Sequence, residues 1–241
     1  MTEIDWLSCT DPARMLEFLK GKASDRKLRL FAVACCERVN QLFIPETRQA
    51  LAVAEQFAEG KVTSPQRKQA RAVALRAGWI KPPALPLELI RHARGPAKSA
   101  VCDVLARKAI DAATGASRSA CHAAIVLSVN SQIVEHPHAG VDWLVAHEAA
   151  SKNEQETQCE ILRCCIGNPF RTAVLEVAWR VSEVVRLAQV IYDDRDFKLM
   201  AGLAKRLTEL GCTNADVLSH CCITRQHVRG CWVVDLILGK Q

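Results

Sequence analysis

An all-α fold, a compact array of about ten helices closed by a buried C-terminal helix, is what this sequence predicts. Three observations predict it. Apolar residues recur at helical spacing through most of the chain. Proline and glycine stand where helices begin and end. Nine prolines and eleven glycines in 241 residues are too few for a loop-rich β-sandwich, and Tyr occurs once.

The elements follow in order. "DPARMLEFLKG" starts a helix with Asp11 as N-cap and Pro12 in the first turn, and Gly21 stops it. "SDRKLRLFAVACCERVNQLF" follows, capped by Ser24 or Asp25, with Leu28, Phe31, Cys35, Val39 and Leu42 on one stripe. Pro45 opens a third helix that Gly60 closes. Ser64, Pro65 and Gly78 repeat this pattern around "SPQRKQARAVALRAG".

Pro82, Pro83, Pro86 and Pro96 then forbid a long helix. Residues 79–96 are therefore the expected connector between an N-terminal helical part, 1–78, and a C-terminal one, 97–241. The alternative is one domain over 1–241. Pro96 starts a helix through "AKSAVCDVLARKAIDAATG", and "SRSACHAAIVLSVNSQIV" makes another, rich in small residues. "EHPHAG" is expected to turn, and "VDWLVAHEAASKNEQETQCEILRCCIG" to form one long helix or two broken near Ser151. Asn168-Pro169 marks a turn, and "TAVLEVAW" after it is expected to be extended. Two amphipathic helices start near Ser182 and Asp196, and a short one is capped by Thr213 or Asn214. A last helix runs from about Gln226 to Leu238.

The balance of 49% hydrophobic and 24% charged residues is that of an ordinary globular chain. A chain this long buries about 70–75% of its unfolded surface, so its stability requires neither disulfides nor metals. Twelve cysteines therefore read mainly as core filler in a cytoplasmic, reducing setting. No basic start with an apolar export segment is present, and no stretch suits a membrane span.

Charge is concentrated. Residues 61–118 carry twelve Lys/Arg against three acids, a net +9 against +6 for the whole chain. Arg67, Lys68, Arg71, Arg91, Arg94 and Lys98 are the candidate nucleic-acid-binding residues within it, since clustered cations bind phosphate chains by releasing counterions. Trp79 alone offers a stacking platform in this segment, and single-strand and RNA readers usually want more.

The richest chemistry lies in "GCTNADVLSHCCITRQHVRGCWVVDLILGK". Cys212, His220, His227 and Cys231 are candidate ligands of a tetrahedral zinc ion, with Cys221 as a substitute for His220. Placing His227 and Cys231 four apart puts them on one face of a helix. The spacing lacks a C-x-x-C knuckle, and packing or capping roles explain the same cysteines, so no cofactor is the first expectation. Asp235 is the sole charge of "CWVVDLIL" and must find a partner once buried; Arg29, Arg38 and Arg171 are the candidates for a structural ion pair.

Other motifs fail on inspection. His147-Glu148 opens an H-E-x-x-H, but position 151 is Ser. Cys121 and His122 are neighbours whose side chains diverge on a helix. His136 and His138 read as a solvated turn. Walker, dinucleotide-binding and nucleophile-elbow motifs are missing, so no catalytic residue is proposed.

Several phrases carry a resemblance. "MTEIDWLSCTDPARMLEFLKGKASDRKLRLFAVACCERV", "GNPFR", "AQVIYDDRDF", "GCTNADVLSHC" and "HVRGCWVVDLILGK" resemble an uncharacterised protein family of planctomycete bacteria. The likeness covers nearly the full length, is weakest in the basic middle, and departs at "TAVLEVAWRVSEV", where more prolines are expected. It implies a cytosolic bacterial protein and brings no activity or cofactor. The function expected is a non-catalytic protein-binding or scaffold module. Nucleic-acid binding through residues 61–118 is the first alternative, and an enzyme with an unrecognised site the second.

Overall fold

The computed structural model describes residues 1–78, 92–135, 142–171, 176, 179–222 and 226–240. Among these, twelve α-helices and two short 3₁₀ turns form, with no strand. Most of the Pro-rich connector, the "HPH" turn and most of "TAVLEVAW" lie outside the described residues.

The chain divides into two units, Cys9–Cys159 on one hand and Met1–Ser8 with Glu160–Gln241 on the other. This division differs from the expected break at residues 79–96. The physical reason is packing: helices before and after the connector share one core, as follows.

In the Cys9–Cys159 unit, α2 (Pro12–Leu19) starts as predicted, with the Asp11 carboxylate accepting from Ala13 N at 2.9 Å. Helix α3 (Asp25–Glu37) is capped by Ser24 and buries the stripe of Leu28, Phe31 and Cys35. It stops at Glu37 rather than running to Leu42, which sits in a 3₁₀ turn. Helix α4 (Pro45–Ala58) begins at its proline. Helix α5 (Ser64–Arg76) is capped by Thr63 rather than Ser64, in a capping box with Gln66, whose side chain accepts from Thr63 N at 2.7 Å.

Helix α6 (Arg94–Val104) packs against α3, α4, α5 and α7 (Ala109–Glu135), which joins the two sides of the connector. Small residues along α7 serve this packing, including Ala120 and Ala123 of the expected small-residue stretch. Ala112, Ala116, Ala120 and Ala123 are wholly buried, and a Cβ added at Gly115 would lie 2.9 Å from the Asp103 side chain. Helix α8 (Trp143–Ile166) is continuous through Ser151.

The single predicted helix over 97–115 is broken between α6 and α7, and arginines hold the break. Arg71 Nε donates to the Cys102 carbonyl at 3.1 Å, and Arg67 Nη1 to the Leu105 carbonyl. Arg29 reaches the carbonyls of Ala106 at 3.0 Å and Arg107 at 2.7 Å. Cationic donors satisfy the orphan carbonyls of a helix end and oppose its negative dipole. Arg29 and Arg67 also flank the Phe57 ring, at 4.8 and 5.3 Å from its centroid.

The other unit holds an element the periodicity missed, α1 (Glu3–Ser8), with Trp6 fully buried. The last turns of α8 belong here, with α9 (Ser182–Asp194), α10 (Met200–Glu209), α11 (Ala215–Cys222) and α12 (Trp232–Leu238). Asn214 caps α11, its side chain accepting from Asp216 N at 3.1 Å and Val217 N at 3.2 Å. The closing helix α12 is buried as expected, through Val233, Val234, Asp235 and Ile237, and packs on α9 and α11. No described helix is long and apolar enough to cross a membrane.

Candidate metal centre

Four side chains meet in the Met1–Ser8 and Glu160–Gln241 unit: Cys164, His220, His227 and Cys231. Cys164 stands near the end of α8, and His220 in the last turn of α11. His227 precedes a tight turn, and Cys231 is the N-cap of α12. The turn is closed by Cys231 N donating to the Val228 carbonyl at 3.0 Å, with Gly230 at φ +91°, a conformation that favours glycine. That turn corrects the expected helix from Gln226. His227 and Cys231 converge across a loop, not along a helix face.

The ligand atoms all lie within 4.8 Å of one another. His220 Nε2 is 3.2 Å from Cys231 Sγ, and His227 Nδ1 is 3.8 Å from Cys164 Sγ and 3.9 Å from Cys231 Sγ. Zinc–sulfur bonds near 2.3 Å and zinc–nitrogen bonds near 2.0–2.1 Å give a tetrahedron with edges of about 3.3–3.8 Å. The three nitrogen–sulfur separations lie within about 0.4 Å of those edges, while the widest separation in the set reaches 4.8 Å, so the ligands would close in by about one ångström around an ion. Two thiols and two imidazoles are also the donor set of closed, four-coordinate zinc sites. The cluster can therefore hold a metal ion.

Surrounding residues orient the ligands. The two imidazoles meet edge to face, with centroids 4.9 Å apart. Trp232 packs on His220 at 5.3 Å, and Phe197 stacks on His227 at 6.1 Å. Nε2 of His227 is buried with no protein hydrogen-bond partner, so the sulfurs and Phe197 set this ring's position. Arg229 pins the turn to α9, donating to the Tyr192 carbonyl at 3.0 Å and lying over its ring.

The electrostatics suit a shared cation. Burial pushes the Cys231 thiol up, but hydrogen bonds with Cys164, His220 and His227 outweigh it and hold the thiol well below its ordinary value. Cys164 is pushed well above the ordinary value by its hydrogen bond to Cys231 and by burial, while a backbone hydrogen bond from Val228 acts in the opposite sense.

Three of the four ligands predicted from the sequence are in this cluster. The fourth is corrected: Cys212 is buried elsewhere in the unit, and Cys164 stands in its stead. Cys221 does not replace His220; it is buried, and its thiol is pushed up mainly by that burial. No local signal marks Cys164, which is 63 residues from His227.

The other predicted site residues differ in burial. Arg67 is buried and, with Arg71, caps α6; burial and then the charges of Arg71 and Arg107 lower its pKa. Lys98 Nζ donates to the Ala77 carbonyl at 2.8 Å, at the end of α5. Lys68 is exposed, Arg94 is half-buried, and Arg91 lies outside the described residues. Asp235 is buried as expected. Of its candidate partners, Arg29 reaches the carbonyls after α6, Arg38 also pairs with the Glu154 carboxylate at 2.7 Å, and Arg171 reaches Glu3 at 2.5 Å and Asp216 at 3.5 Å. All twelve cysteines are described and free of disulfides.

Comparison of the chain with protein-family models, curated proteins and solved structures finds no match.

Proposed function

We propose that the protein is a non-catalytic binding or scaffold module whose second-half unit is held together by a structural zinc ion. The observation that carries this reading is the convergence of Cys164, His220, His227 and Cys231. Four protein ligands complete a tetrahedron and leave no position for a water or a substrate, which separates structural from catalytic zinc. A bound ion would offset the entropy of ordering α11, the 226–231 loop and α12, because a site assembled by folding returns its binding energy as folding energy.

Binding to another protein is supported by the first turn of α8, where Trp143, Leu144 and Val145 are 57–62% exposed. Exposed apolar side chains that form one contiguous patch mark interaction surfaces. For the nucleic-acid reading, Arg67 is buried and Arg71 and Lys98 each hold a backbone carbonyl of the chain, while Lys68 and Arg71 stay exposed. A cytoplasmic location with reduced thiols belongs to this proposal.

Elemental analysis of protein purified without chelator tests the zinc reading. About one zinc per chain is expected, and cobalt substitution should give the intense visible bands of a tetrahedral thiolate site. Less than about half an equivalent, with no cobalt bands, refutes it. The binding role is tested by Trp143→Ser with Leu144→Ser: loss of cellular partners with unchanged circular dichroism supports it, and unchanged capture refutes it.

A further inference from the structure

We propose that α1 is a clasp on the metal centre, so that its docking and metal binding are linked; this rests on the zinc reading above. Residues 1–8 belong to the metal-bearing unit, whereas the chain from Cys9 to Cys159 forms the other. Trp6 is the anchor. It is fully buried, and its indole Nε1 donates to the Gly167 carbonyl at 3.1 Å. Its own carbonyl accepts from Arg163, at 3.2 Å from Nε and 2.9 Å from Nη2. Arg163 and Gly167 bracket Cys164, so α1 holds the chain on both sides of that ligand.

The hold extends to the second helix of the site. Gly167 has φ +76°, and a Cβ there would lie 3.1 Å from the Trp232 ring, which packs on His220. Glu3 accepts from Asn168 Nδ2 at 2.6 Å and pairs with Arg171 at 2.5 Å. Arg171 in turn reaches Asp216 at 3.5 Å, on α11, the helix that carries His220. One short element therefore ties the segments bearing Cys164 and His220 to each other.

A helix of six residues is too short to persist alone in water. Its order comes from docking, and docking needs the ends of α8 and α11 in the arrangement that also gathers the ligands. The linkage is reciprocal: whatever factor α1 adds to metal affinity, metal adds to the docking of α1.

The test uses the full chain. Zinc affinity is measured by competition with a chelating dye for wild type, Trp6→Ala and Glu3→Gln, with cobalt spectra at saturation. The Trp6 indole N–H is followed by NMR exchange before and after chelation. Both variants should bind one zinc with the wild-type cobalt spectrum, Trp6→Ala about tenfold more weakly, the scale of losses from outer-shell partners. Chelation should speed indole exchange at least tenfold. Glu3→Gln leaves the core filled, so it decides the matter if Trp6→Ala does not fold. Wild-type affinity in the folded variants, or indole exchange indifferent to chelation, overturns the clasp while leaving the zinc reading intact. A wild type that binds no zinc overturns both.

Discussion

Cys164 Sγ lies 3.8 Å from His227 Nδ1 across 63 residues of sequence, and this pairing, rather than one through Cys212, completes the candidate metal set. Cys164→Ser should therefore abolish stoichiometric zinc binding, whereas Cys212→Ser should keep one zinc per chain. Chelator competition on both variants checks this. Acid should release the metal, because the sulfurs must be unprotonated and the imidazoles neutral to ligate, so affinity falls as pH falls.

Thiol reactivity should follow burial. Cys222 is the exposed cysteine of the twelve and should react first with a thiol reagent near neutral pH. Cys121 is half-buried, and burial, then the Glu154 charge, pushes its thiol up to about 11, so it should follow slowly. Burial raises Cys36 further, and it should react only on unfolding. Mass-spectrometric mapping of the alkylated sites gives the order directly.

Arg38 and Glu154 form a largely buried ion pair in the Cys9–Cys159 unit. Arg38 Nε reaches both carboxylate oxygens at 2.9 Å, and Gln158 donates to the same carboxylate at 3.0 Å. Glu154→Ala should lower stability by about 3–5 kcal/mol, since it strands a largely buried charge. The double change Arg38→Met with Glu154→Leu should recover most of that loss. Denaturant titration of the three proteins measures the difference.

Arg67 and Lys68 are neighbours with opposite fates. Arg67→Ala removes a charged donor from the Leu105 carbonyl and should cost about 1–3 kcal/mol. Lys68 is exposed, and Lys68→Ala should stay within about 0.5 kcal/mol. Thermal melts of the two variants give the contrast.

Much of the helical grammar was legible because it is local. Asp11, Ser24 and Pro45 start helices where the sequence placed them, and Gly21 and Gly60 adopt the left-handed conformation beyond helix ends. Where the reading slipped, a long-range contact decided the outcome. Helix α1 has too few residues to show a period and depends on Trp6 meeting Gly167. The break after α6 depends on Arg29, Arg67 and Arg71 arriving from two other helices.

The sequence by itself determined the helical class, most helix starts and the burial of α12, because caps and periodicity act between residues a few positions apart. It also named His220, His227 and Cys231, which lie within eleven residues of one another. Only the tertiary structure decided that Cys164 joins them, that α1 sides with the second half of the chain, and that Arg67 alone of the described cations of the basic segment is buried. Those outcomes depend on which distant surfaces pack together, and no pattern in a single segment encodes that.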